Sequence, residues 1–187
     1  QGETTTGNLY NWMARSCEAV SIATNTIVGF ENYCMTTMNH ATFHAWAMDR
    51  LAKTGRKQVD LFALQGSSSN DTAPWSDATL AANMARNLDF AAACRANGVQ
   101  PAFVLMYPSG TATTAAQVAN WRKMNNALLS TGVPCFDFYN QPVFTDGGAI
   151  PLLPTVKGIT GDPVHLNDAG HNIAAQLIGI PGLRSYL

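Results

Sequence analysis

Apolar runs of strand length alternate along the chain with longer stretches whose apolar residues recur every three or four positions, which predicts β and α elements in turn. Over 9–20, Leu9, Trp12, Met13, Cys17 and Val20 mark one helical face, and a short strand is expected to follow over 20–23. A helix is expected over 39–53, where Phe43, Ala47, Met48 and Leu51 share a face and Gly55 lies just past the end. The run 59–64 reads as a buried strand. Ser76 can cap a long helix over 77–96 that stops at Asn97-Gly98, and 101–106 is the strand after it. Thr113 or Thr114 opens a helix reaching Leu129, and 133–138 is the last strand. Residues 139–161, rich in Pro and Gly, form a long connection of the kind that usually carries function or motion. A final helix is expected over 168–178.

Each strand but the last leads through a loop into a helix, so the fold class is α/β with a parallel sheet. The loops at the strand C-termini share one edge, where open α/β sheets bind ligands. A length of 187 residues suits one domain, 1–187, and 47% hydrophobic content suffices for a core without disulfide or metal staples. A formal net charge of -1 with no block of like charges excludes the electrostatic footprint of a nucleic-acid binder or of a protein held to an acidic membrane surface. The expected partner is therefore small or uncharged. Charged residues are 12% of the chain, about half the ordinary 25%, so Thr, Ser, Asn and Gln supply the polar surface. That composition points to a secreted, cell-envelope or virion setting. No run approaches the roughly 20 apolar residues of a membrane span, and the first residues lack a signal pattern. Cys17, Cys34, Cys94 and Cys135 have neither CxxC spacing nor His neighbours at zinc-ligand distance, which leaves buried thiols or one or two disulfides.

The strongest local signal is Gly161-Asp162-Pro163-Val164-His165-Leu166-Asn167-Asp168-Ala169-Gly170-His171, a polar loop running into the last helix. In a turn stiffened by Pro163, the carboxylate at i can reach Nδ1 of the imidazole at i+3 and leave Nε2 basic. Such an Asp fixes the tautomer and stabilises the imidazolium formed when His takes a proton from a nucleophile. The plainer alternative is an exposed turn before a helix cap at Asn167 or Asp168. The second signal is the strand 59–64, which breaks at Gly66 into Ser67-Ser68-Ser69-Asn70-Asp71 on the expected ligand edge. There Asn70 could donate its amide to an oxyanion, or the segment could be an ordinary polar turn. The third is Ile27-Val28-Gly29-Phe30, whose glycine allows a tight turn with its N–H toward a substrate but would equally serve as a plain turn residue.

The order of these three pieces resembles the SGNH or GDSL-like hydrolases, esterases and lipases on a three-layer α/β/α, flavodoxin-like fold. That family carries a Gly-Asp-Ser block with the nucleophile, a block with a Gly, a Gly-x-Asn-Asp block whose Asn is an oxyanion donor, and Asp-x-x-His. Asp162 and His165 match the last block, including the following Leu-Asn and the Gly of the helix start. Gly29 fits the second and Asn70-Asp71 the third, although the segment from Gly66 is two residues longer than usual and Ser68 stands at the unexpanded spacing. Gly2-Glu3-Thr4-Thr5-Thr6-Gly7 occupies the place of the first block, which puts Thr4 at the nucleophile position and Glu3 at that of Asp. A Thr hydroxyl can attack, but its methyl restricts χ1 and crowds the carbonyl, so low activity is implied. The family's first strand would precede this block. The resemblance therefore implies a native N-terminal segment missing before Gln1, or another chain that completes the sheet.

Hydrolysis of a carboxyl ester follows from the resemblance, most plausibly release of small acyl groups such as acetyl from a carbohydrate. His165 is the expected base, Asp162 its orienting partner, Thr4 the nucleophile, and Asn70 with the Gly29 N–H the oxyanion donors. No metal or cofactor is implied. The rival is a binding or structural module that keeps the fold without turnover. A flavodoxin-like cofactor binder is disfavoured because no Gly-rich phosphate loop follows a strand. His40 and His44 are four apart, but His40-Ala41-Thr42-Phe43-His44 lacks the Glu of H-E-x-x-H, which leaves an ordinary surface or core pair. His171 is expected to cap or pack. The four tryptophans read mostly as core, with Trp75 the one placed to line a sugar or acyl site.

Overall fold

The computed structural model describes residues 11–29, 38–54, 60–68, 70–107, 114–144 and 165–187. They fall into two compact units: 38–107 with 114–139, and 11–29 with 140–144 and 165–187.

The first unit is α/β. Strands β1 (Leu61–Gln65), β2 (Gln100–Leu105) and β3 (Cys135–Asp137) form a parallel sheet in the order β1-β2-β3. Leu61 pairs with Gln100 and Gln65 with Val104, while Phe103 pairs with Cys135 and Leu105 with Asp137. Helix α2 (His40–Thr54) precedes β1, and α3 (Asp77–Ala96) and α4 (Ala115–Leu129) are the crossovers. Parallel neighbours cannot be joined by a hairpin, so each crossover needs a helix-length segment. Both helices start where side chains take up orphan N–H groups: Ser76 accepts from the Thr79 N–H, and Thr114 forms a reciprocal capping box with Gln117. Beyond α3, Gly98 at φ 71° turns the chain into β2, a conformation glycine adopts without a Cβ clash. The core joins Ala47 and Leu51 of α2, Leu64 of β1, Phe90, Ala91 and Cys94 of α3, Phe103 and Leu105 of β2, and Met124 and Leu128 of α4. Asn125 and Trp121 of α4 fix the end of β2, since Asn125 Oδ1 accepts from the Met106 N–H at 3.2 Å and Trp121 Nε1 donates to the Met106 carbonyl at 2.8 Å.

The second unit packs α1 (Trp12–Thr24) against α5 (Asp168–Ala174), the π-helical turn Ala175–Gly179 and α6 (Ile180–Arg184). The strand expected over 20–23 does not form, because those residues continue α1. Trp12, Ser16, Cys17 and Val20 are buried at helical spacing, and Ser21 and Thr24 return their hydroxyls to the Cys17 and Val20 carbonyls at 2.7 and 2.8 Å. The last helix extends past 178, because the π turn lets Pro181 fall in the first turn of α6, where its missing N–H costs little. Gly179 meets Ser16 so closely that a Cβ would collide with its side chain. No helix among the described residues is long and apolar enough to cross a membrane.

Candidate functional site

The loop after β1 is built around three fixed points. Gly66 donates its N–H to the Val104 carbonyl at 3.1 Å, and a Cβ there would meet the end of the Leu128 side chain, which would have to shift to admit it. The Gly66 carbonyl accepts from Asn87 Nδ2 of α3 at 2.8 Å. The second point is the Met38 carbonyl just before α2, which accepts from Ser68 Oγ at 2.9 Å and from Asn70 Nδ2 at 3.3 Å. Ser68 is buried, and its hydroxyl oxygen also accepts the Asn70 backbone N–H at 3.1 Å. Asn70 is exposed. One hydrogen of its amide goes to Met38 and the other remains available to a bound oxygen.

The third point is Asp71. Its Oδ1 accepts from the His40 N–H at 2.8 Å, and its Oδ2 from Asn83 Nδ2 at 2.7 Å and the Ser68 N–H at 3.4 Å. The carboxylate thus sits at the N-terminus of α2, where orphan N–H groups and the helix dipole favour negative charge. Beyond Asp71, Ala73 and Trp75 lie in the left-handed region at φ 47° and 66°. That conformation is costly for residues with a Cβ and is held here by Thr79 Oγ1, which donates near the Thr72 and Ala73 carbonyls at 3.0 and 3.1 Å, and by Asn120 Nδ2 on the Trp75 carbonyl at 2.7 Å. A cavity of about 10 Å³, enough for one water, lies between Ser67, Ser68, Asp71, Asn83 and Met124. Trp75 borders it, but its ring is buried with Met106, Val118 and Trp121, so Trp75 is core rather than an exposed sugar platform.

His40 completes the network. Its ring is fully buried, with Nε2 at 3.2 Å from Asn87 Oδ1. Because Asn87 spends its Nδ2 on Gly66, its oxygen faces the ring, and Nε2 must carry the proton. Nδ1 then presents a bare lone pair, and it is buried without a hydrogen-bond partner. Burial lowers the His40 pKa to about 4, opposed by the Asp71 carboxylate and the Asn87 bond and assisted by Arg86 and His44. His44 instead pairs with Asp89 at 2.9 Å. Among the described residues no group of three His, Cys, Asp or Glu could hold a metal ion. Cys17, Cys94 and Cys135 are free thiols, and burial raises their pKa values to about 11, 12 and 11. They are poor nucleophiles at neutral pH.

In the other unit, half-buried His165 lies two residues ahead of Asn167, whose side chain accepts the Gly170 N–H at 2.9 Å and caps α5. The helix cap anticipated at Asn167 or Asp168 is thus Asn167, while Asp168 pairs with Arg15 of α1 at 3.4 Å. His171 is fully buried and caps α1 through Nδ1, which accepts the Trp12 N–H at 3.1 Å. Gly29 is exposed, lies outside the left-handed region and has space for a Cβ, so no tight turn or close approach requires a glycine there. Asp162 and Thr4 lie outside the described residues. Asn70, Ser68 and Asp71 come together in one loop.

The residues that sequence reasoning missed are Asn83 and Asn87, whereas His40, expected as half of an ordinary surface or core pair, is buried. Their signal was Asn83 and Asn87 at i, i+4 on the face of α3 that also carries Phe90, Ala91 and Cys94. Polar residues on a core face need partners. Comparison with protein families, characterised proteins and solved structures gives no match to this chain.

Proposed function

We propose that the chain is a carboxyl-ester hydrolase that removes small acyl groups, such as acetyl, from a carbohydrate or similar alcohol. The observation that carries this is the run Asp162-Pro163-Val164-His165-Leu166-Asn167, in which an imidazole three residues after a carboxylate directly precedes a capped helix. His165 takes the proton from the attacking hydroxyl and returns it to the leaving alcohol, with Asp162 stabilising the imidazolium. The hydroxyl is that of Thr4, whose methyl slows attack. Asn70 donates to the oxyanion, supported by its hold on the Met38 carbonyl, and the Gly29 N–H is the second donor. The fold proposed is a single three-layer, flavodoxin-like domain of the SGNH type, in a secreted, envelope or virion-associated protein.

Hydrolysis of p-nitrophenyl acetate by the chain and by its His165→Ala form tests this directly. The variant is expected to fall to the uncatalysed rate, and equal rates would remove His165 from the mechanism. A second reading, a glycan-binding module of the same fold without turnover, is favoured only by the Thr at position 4. Saturable binding of acetylated glycan with no acetate released would select it.

A further inference from the structure

We propose that His40 is a positioning residue for the loop that carries Asn70: its neutral ring orients Asn87, and Asn87 in turn fixes the Gly66 carbonyl where the loop leaves β1. The kinetic consequence rests on the ester-hydrolase reading, whereas the positioning itself does not. Residues 38–40 grip the loop along its length. The Met38 carbonyl holds Ser68 and Asn70, the His40 N–H holds Asp71, and the His40 ring reaches Gly66 through Asn87. His40 therefore acts at both ends of the 66–71 segment, once through its backbone and once through its side chain.

An apolar ring would fill the same buried space without leaving Nδ1 unpartnered. What the imidazole adds is a single N–H aimed at Asn87 Oδ1, which sets the Asn87 amide in the one orientation that lets Nδ2 donate to Gly66. Rotating that amide would place two oxygens against each other at the Gly66 carbonyl. The charged groups facing the ring are Asp71 of the loop, Arg86 of α3 and His44 one turn along α2. Arg86 is itself occupied by Asn83 Oδ1 at 2.8 Å, and His44 by Asp89. None of them duplicates the bond to Asn87.

The test compares the full chain with His40→Phe, His40→Gln and Asn87→Asp, using amide hydrogen exchange over 66–71 and p-nitrophenyl acetate kinetics. In His40→Phe the loop should exchange faster while α3 and β2 stay protected, and kcat should fall by about tenfold or more with KM within about threefold, as expected when a donor is misplaced rather than binding lost. His40→Gln, which restores an N–H donor, should recover both. Asn87→Asp keeps an acceptor for His40 but cannot donate to Gly66, so it should resemble His40→Phe. Unchanged exchange over 66–71 in folded His40→Phe and Asn87→Asp would overturn the proposal. If neither variant folds, the 15N spectrum of the wild-type ring decides: the Nε2–H tautomer upholds it, and the Nδ1–H tautomer overturns it. A wild type that hydrolyses no ester would end the hydrolase reading alone, because the exchange comparison stands without activity.

Discussion

At the scale of single residues, the supply of hydrogens separates the two candidates for the oxyanion donor. Ser68 stands at the unexpanded spacing of the SGNH pattern that this segment resembles, but its only hydroxyl hydrogen is given to the Met38 carbonyl and its oxygen is buried. Asn70 has two amide hydrogens, gives one to the same carbonyl, and is exposed. Asn70→Ala is therefore expected to lower kcat about 10²- to 10³-fold with KM little altered, as for loss of one oxyanion donor. Ser68→Ala should act on the fold instead, costing about 1–2 kcal/mol in urea denaturation because it strips a buried hydrogen bond. Of this loop, Gly66 and Asn70-Asp71 were legible in the sequence as a strand ending in a polar turn. The grip of residues 38–40 was not, because Met38 and His40 find partners some thirty and more positions away, and neither periodicity nor turn chemistry reports such pairs.

At the scale of elements, what was legible was local. The span and both ends of α3 follow from Ser76, Asn97 and Gly98, and α4 from Thr114, because caps and stops act within one turn of the residues that make them. Thr114→Ala breaks both arms of a capping box and should cost about 1 kcal/mol, seen as a fall of about 2–4 °C in Tm. The segment 20–23 was misread because a short apolar run with a β-branched residue fits strand and helix alike. Burial decides between them: Val20 is covered and Ile22 is 77% exposed, whereas a strand would put both on one face. The last helix was expected to end at 178, but the π turn before α6 accommodates Gly179 and Pro181, so the helical run continues to Arg184.

At the scale of the whole molecule, the buried His40 ties stability to pH. Its pKa in the folded chain, about 4, lies below the ordinary 6.5, so the unfolded chain binds the extra proton first. Stability is fully present above about pH 6.5 and declines as pH falls toward 4, by on the order of 3 kcal/mol from this group. Urea denaturation at pH 7, 5 and 4 should show the wild type losing more stability than His40→Phe, since a phenyl ring takes up no proton. Equal losses would show that carboxylates alone set the acid response. The hydrolysis proposed for the chain requires a hydroxyl near the N-terminus to be activated by an imidazole near the C-terminus. The most direct measurement is the p-nitrophenyl acetate rate of Thr4→Ser, alone and combined with His165→Ala. The single variant should exceed the wild type and the double variant should fall to background; a Thr4→Ser chain no faster than wild type, or a gain that survives loss of His165, would contradict the mechanism.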